Sequence, residues 1–196
     1  MLITIISDAS FCHRTKCGGY GIWVASKRGK KAFGGPAHGH TDNTVVECIA
    51  VANGLYHGIE AGLIYTNDVI LFQTDCKAAI HMFEGKRPPR GEEQQIYKWF
   101  MDTIVENRLS FQFRHVKGHS GRMDSRSLAQ DKCDEIAGMH MRTGRRRMDY
   151  DKLKVDTAKS VIPKPKKVNI EKQQSWVRKL KLLVWEHTKV NFNGSI

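Results

Sequence analysis

Four acidic residues stand out by where they fall along the chain. Asp8 follows the β-branched, apolar run that begins at Leu2, and Asp75 follows Val69–Thr74, so both carboxylates are read at strand ends. Parallel strands joined through a helix bring their carboxyl ends together, and ligands bind there. If these two strands are neighbours, the two acids face each other across a strand spacing of about 4.8 Å. Glu47 lies two residues beyond Val45, hence about 200° round a helix and off its apolar stripe, on a face carrying the small residues Ala50 and Gly54. Asp134 sits beside the apolar stripe of the last helix, in Asp131-Lys-Cys-Asp-Glu-Ile-Ala.

Singly, each acid has an ordinary reading as a turn former, a helix cap or a solvated helix residue. The combination is what points to chemistry. Four gathered carboxylates without basic partners repel one another at neutral pH unless a cation sits among them. Hard oxygen ligands favour Mg2+ or Mn2+. Two such ions about 3.5–4 Å apart are a common device for phosphodiester hydrolysis, one activating water and the other stabilising the leaving oxygen.

The elements that must position these acids can be read from periodicity. Leu2–Asp8 is apolar on both faces, the pattern of a central strand. Gly18-Gly19 and Arg28-Gly-Lys30 are turn signals around a second strand, Tyr20–Ser26, and Lys31–Gly35 reads as a third, giving an antiparallel meander. Val45, Ile49, Ala52 and Tyr56 then recur at helical spacing, with Thr41, Asp42 or Asn43 available as N-cap. Beyond Val69–Thr74 come a short helix over Cys76–Phe83, a break at Pro88-Pro89, a helix over Glu92–Glu106, a strand over Phe111–Val116 and a helix from Ser127 to about Met141. The order β-β-β-α-β-α-α-β-α implies a mixed sheet with helices packed on it.

Five short segments in register carry a family resemblance: Ile-Ser-Asp8-Ala-Ser with Gly-Gly-Tyr-Gly-Ile, Thr41-Asp-Asn43-Thr-Val-Val-Glu47, Thr74-Asp75-Cys-Lys, Val116-Lys-Gly-His119-Ser-Gly, and Asp131-Lys-Cys-Asp134-Glu-Ile-Ala. Over residues 1–141 the chain resembles type 1 ribonuclease H. The resemblance implies a ribonuclease H-like α/β fold, a five-stranded mixed sheet of three antiparallel strands followed by parallel ones, flanked by helices. It implies two-metal hydrolysis of the RNA strand of RNA–DNA hybrids, leaving a 5′-phosphate and a 3′-hydroxyl. Asp8, Glu47, Asp75 and Asp134 would then hold two Mg2+ ions, with Mn2+ as a substitute, and His119 would assist proton transfer and product release, as its pKa class suits. Thr41 and Asn43 would contact substrate, Asn43 at an RNA 2′-hydroxyl, although both read equally well as helix caps.

The chain departs from the family in two places. His119 and Asp134 stand 15 positions apart, a longer interval than many members use. Between the short helix and the helix from Glu92 the sequence has only Glu84-Gly-Lys-Arg-Pro-Pro-Arg-Gly, where many bacterial members insert a helix and a basic, Trp-containing handle. Lys86, Arg87 and Arg90 are what remains of that charge for gripping substrate.

The 196 residues carry 32 Lys+Arg against 20 Asp+Glu, net +12, which points to a polyanionic partner. Residues 1–141 hold 17 Lys+Arg and 15 Asp+Glu, net +2, whereas residues 142–196 hold 15 and 5, net +10. The expected organisation is a catalytic domain over 1–141, a basic extended linker over 142–169 with Arg145, Arg146 and Arg147 as further substrate contacts, and an amphipathic basic helix and tail over 170–196. Trp176, Val177, Leu180, Leu183 and Val184 mark the apolar stripe of that helix. Docking on the catalytic domain ranks first for it, then nucleic acid or a protein partner, and a membrane surface last.

The start lacks the basic region and apolar length of a signal peptide, and no stretch approaches the roughly 18–20 apolar residues of a membrane span. Five scattered cysteines without a CxxC pair suit a cytoplasmic chain with reduced thiols, and Cys12, His13, Cys17, His38 and His40 match no structural zinc spacing. The leading expectation is a Mg2+-dependent endonuclease of RNA–DNA hybrids acting in DNA replication or on transcription-derived hybrids. A ribonuclease H-like DNA nuclease or junction resolvase and a non-catalytic nucleic-acid-binding module are the alternatives. The Thr-Asp-Asn43 and Val-Lys-Gly-His119 segments favour the first, and the presence of all four acids disfavours the last.

Overall fold

The computed structural model describes residues 1–116 and 125–147. Along them run β1 (Leu2–Cys12), β2 (Cys17–Ser26), β3 (Gly29–Pro36), α1 (Asn43–Glu60), β4 (Val69–Thr74), α2 (Lys77–Phe83), α3 (Glu93–Glu106), β5 (Ser110–His115) and α4 (Ser125–Arg147). The strands form one sheet in the order β3-β2-β1-β4-β5. Its first three strands pair antiparallel, and β4 joins β1 and β5 in parallel, the expected mixed sheet. His119, the rest of the segment 117–124, and residues 148–196 with the expected tail helix lie outside the described residues.

β1 is apolar on both faces because both are covered. Ile3 and Ile5 join Val24, Phe72 and Phe100 in the main core, whereas Ile6 packs on the opposite face with Ala129 and Cys133 of α4. On the main-core side, ring contacts of Phe83 with Phe100 at 4.4 Å and of Phe72 with Phe113 at 5.0 Å tie together α2, α3, β4 and β5. Edge and offset stacking of this kind makes the end of β4 a rigid platform. Asp42 caps α1, its side chain accepting from the Val45 N–H at 3.1 Å. The cap question is thereby resolved: neither Thr41 nor Asn43 fills that role.

Three features differ from the reading of the sequence. Asp8 does not close β1, which continues to Cys12. The parallel ladder with β4 stops at Ile6–Gln73, but antiparallel pairing with β2 carries on to Cys12–Cys17. Gly18-Gly19 is not a turn. The hairpin turns through residues 13–16, with Lys16 at φ 53°, and both glycines lie inside β2. Their role is close approach: a Cβ on Gly18 would fall on the Ala37 carbonyl oxygen, whereas one on Gly19 would fall on the Ala137 carbonyl oxygen and one on Gly21, further along β2, on that of Cys133. The missing side chains let the α4 backbone lie directly on β2. Finally, α4 does not end near Met141. Residues 142–147, expected to begin an extended linker, are helical, and the buried Gly144 faces the His38 ring.

Candidate active site

The four acids come from four separate elements. Asp8 and Asp75 each stand two residues beyond the last β1–β4 pair, Ile6–Gln73, so the register sets them side by side where the two strands part. Past that point the Val116 N–H donates to the Thr74 carbonyl at 3.0 Å, and His115 Nε2 lies 3.0 Å from the Asp75 carbonyl oxygen. These contacts hold the end of β4 in place. Glu47 reaches in from the second turn of α1. That helix is buried nearly all round its first half, so Glu47 is only 3% exposed rather than lying on an open face. Asp134 comes from α4, across the sheet from α1.

Carboxylate oxygens of Asp8, Glu47 and Asp75 lie within 4.8 Å of one another. Asp134 stands outside that tight group but lines the same cavity of about 330 Å³. The wall also carries Asn43 beside Glu47, and Gln130 and Asp131 beside Asp134. Neither Gln130 nor Asp131 is picked out by the sequence motifs as a site residue. The signal that could find Gln130 is its interval of four from Asp134, which puts both on one helix face.

The electrostatics are those of acids held together without a counter-charge. Burial, then repulsion from Asp75 and more weakly from Asp134, pushes the Asp8 carboxyl up to about 7 despite a 2.9 Å hydrogen bond from the Ala9 N–H and the pull of the Gln130 amide. Burial, with Asp8 and Asp75 adding to it, drives Glu47 well above the usual carboxylate range, and the Asn43 amide only partly offsets this. Glu47 Oε2 is buried with no hydrogen-bond partner. Leaving such an oxygen unsatisfied costs about 1–3 kcal/mol, more if it is charged. Clustered hard oxygen donors, one of them orphaned, fit a divalent cation.

The expected substrate contacts are spread more widely. Asn43 is in the acidic cavity, whereas Thr41 and Arg90 line a neighbouring cavity of about 570 Å³. The Thr41 backbone is tied down on both sides, its carbonyl accepting from Lys16 Nζ at 3.0 Å and its N–H donating to Glu92 at 3.1 Å. Arg87 lines that cavity too, but with its charge paired. Its guanidinium makes two 2.7 Å bonds to Glu93 and a 2.9 Å bond to the Ala78 carbonyl, so it braces α3 against α2 rather than offering a free charge. Lys86 pairs with Glu84 at 2.6 Å on the surface. Arg145, Arg146 and Arg147 lie exposed on the last turn of α4, remote in sequence from Asp134 but on its helix.

A family model described as RNase H matches residues 2–142. The chain belongs to the RNase H family, a family of ribonucleases. Solved RNase H structures share its fold at low identity. RNase H1 from the archaeon Halobacterium salinarum NRC-1 superposes with a TM-score of 0.58 at 13% identity, covering 73% of this chain and 99% of its own. LC11-RNase H1, solved in complex with an RNA/DNA hybrid, gives 0.56 at 13% identity with the same coverage. The N-terminal RNase H domain of a Mycobacterium tuberculosis protein gives 0.52 at 18% identity, covering 74% of this chain and 96% of that one. No curated protein matches. Among the described residues, no helix is long and apolar enough to cross a membrane.

Proposed function

We propose that this RNase H is an endonuclease that hydrolyses the RNA strand of RNA–DNA hybrids with two Mg2+ ions, leaving a 5′-phosphate and a 3′-hydroxyl. The observation that carries the reading is the triad of carboxylates within 4.8 Å at the parting of β1 and β4, with the orphaned Glu47 oxygen among them. Asp8, Glu47, Asp75 and Asp134 are the residues to hold the ions. When bound, such a pair supplies Lewis-acid activation of water and charge stabilisation at the leaving oxygen. The protein's own part is positional. Asp8 and Asp75 are set by the sheet register, Glu47 by the capped α1 and Asp134 by α4. Asn43, released from capping, is assigned to the 2′-hydroxyl that distinguishes RNA from DNA. Thr41 and Arg90 extend the surface along the neighbouring cavity. His119 is assigned to proton transfer, and Arg145, Arg146 and Arg147 to the phosphate backbone.

The test is incubation of the full chain with labelled hybrid, duplex RNA, duplex DNA and a four-way junction, with Mg2+ and with EDTA. Metal-dependent cleavage of the hybrid's RNA strand is expected. Cleavage of the junction but not the hybrid would overturn the reading in favour of a DNA nuclease, and binding without cleavage would overturn it in favour of a binding module.

A further inference from the structure

The acidic cavity has a shortage opposite to its surplus. Five carboxylates line it, from Asp8, Glu47, Asp75, Asp131 and Asp134, and an ionised carboxylate only accepts hydrogen bonds. Among the described residues, the side chains able to donate into it are Asn43, Gln130 and, weakly, the Cys76 thiol. Asn43 is exposed, its amide near enough to Glu47 to pull on that carboxyl. The Ala9 N–H, the nearby backbone donor, is committed to Asp8. Gln130 differs from all of these. It is 7% exposed, and both its amide nitrogen and its amide oxygen are buried without a hydrogen-bond partner. The amide is near enough to Asp8 to pull on its carboxyl, yet it makes no hydrogen bond there.

A glutamine held in this state is unusual. Ordering its side chain costs entropy, and burying an amide unpaired costs more, so native structures seldom leave one unsatisfied without a use. Nothing about α4 demands a polar residue there. Its helix neighbours Ala129 and Cys133 pack against Ile6 as small apolar groups, whereas Gln130 lines the acidic cavity. An amide on this face is explained by what enters the cavity.

We infer that Gln130 binds the phosphodiester at the cut, its amide nitrogen donating to a non-bridging phosphate oxygen. The inference rests on the proposed reading of the site as a nuclease centre and adds to it a substrate contact on the α4 wall. The anionic phosphate must enter among acids, where cations neutralise charge but do not fix the orientation of both non-bridging oxygens. A neutral donor on the Asp134 side supplies orientation without adding a ligand or competing for metal. A carboxylate at this position would repel the phosphate, and an aliphatic side chain would leave one phosphate oxygen unpaired.

The test is a double-mutant cycle between the protein and its substrate in the full chain. Hybrid affinity is measured with Ca2+ replacing Mg2+, for wild type, Gln130→Met and Gln130→Ala. Two hybrids are compared, one with a normal phosphate at the preferred cut and one with an uncharged methylphosphonate there. Met keeps the volume of the side chain, so it separates the effect of packing from that of the donor. Hydrogen bonds to charged groups correspond to a loss of roughly tenfold or more in affinity for the normal hybrid. Both variants should bind the methylphosphonate hybrid within about twofold of wild type, and calorimetric Mg2+ affinity without substrate should be unchanged. Equal losses on both hybrids, or no loss on either, would overturn the inference and return Gln130 to a packing role. Failure of the nuclease reading shows separately, as wild-type protein that does not cleave the normal hybrid in Mg2+.

Discussion

If Asp8, Glu47 and Asp75 are forced together by the fold, the metal-free protein should become more stable when one of them loses its charge. Asp8→Asn is the cleanest perturbation, because Asn keeps the shape and removes the charge that both Asp75 and Asp134 oppose. The Asp8 carboxyl is raised from 3.8 to about 7, so the folded chain holds this proton more tightly than the unfolded chain does. The sign follows from linkage. The penalty is absent below about pH 3.8, grows as pH rises, and is complete above about pH 7. At about 1.4 kcal/mol per unit, it reaches about 4 kcal/mol. An Asn must still be buried there and the remaining acids still repel, so about half of that is expected as a gain. Roughly 2 kcal/mol raises the Tm of a chain this size by about 4–8 °C.

Differential scanning calorimetry in EDTA at pH 8 reads the gain directly. Acidifying to pH 5 should relieve more than half of the wild-type penalty and shrink the advantage of the variant accordingly. Added Mg2+ should reverse the order, because a ligand bound only by the folded state stabilises in proportion to ln(1 + [L]/Kd) and Asp8→Asn loses much of that affinity. If Asp8→Asn melts below wild type in EDTA at pH 8, or gains as much from Mg2+ as wild type does, the acids are not a strained, metal-ready cluster and the reasoning is refuted.

Other perturbations test other parts of the argument. Asp75→Asn should abolish turnover, by a thousandfold or more on the scale of lost charge stabilisation, while hybrid affinity measured in Ca2+ falls far less. Gly21→Ala, which sets a methyl on the Cys133 carbonyl, should destabilise by about 1–3 kcal/mol or more, seen as a lowered midpoint in urea. Burial pushes the Asp68 carboxyl up, but bonds from Arg28, the Met1 ammonium and the Tyr65 N–H prevail and hold it below its ordinary value. Its stabilisation is therefore present above about pH 4 and lost as pH falls through the lowered folded value; Asp68→Ala should remove that acid limb from a Tm–pH profile and cost about 1–3 kcal/mol at neutral pH, because Arg28 and the Met1 ammonium are partly exposed and regain water. Replacing Arg145, Arg146 and Arg147 together by Ala should flatten log K against log salt for hybrid binding, by up to about 0.9 for each phosphate that is no longer neutralised.

The order of elements was legible in the sequence because each carries its own period, and the mixed sheet follows from three tightly connected strands preceding strands that alternate with helices. The strand-end reading of Asp75 was legible for the same reason. What was not legible depended on a second element. Gly18-Gly19 reads as a turn in isolation, and only the arrival of the Ala37 backbone on Gly18 and of α4 on Gly19 makes it a packing surface. Arg87 reads as a free basic residue until Glu93, six positions on, is brought back against it by the loop before α3. The burial of Glu47 follows from α1 being covered by α2 and α3 as well as by the sheet, which its own apolar stripe does not reveal. Gln130 has a helical interval from Asp134 but no chemical signature beyond it.

One position links these observations. Asp8 lies in the interior of β1, and its antiparallel partner is Gly21. Gly21 is also where the α4 backbone touches the sheet, at the carbonyl of Cys133, the residue before Asp134. Of the glycines under α4, Gly21 is the one that ties the two acids together, with the strand pair to Asp8 on one side and the helix contact beside Asp134 on the other. A side chain there would not touch either carboxylate, yet it would lift Asp134 away from Asp8. Gly21→Ala should accordingly weaken Mg2+ binding even under conditions where the variant remains fully folded, whereas a glycine that served only to pack would cost stability and leave the metal affinity as it was.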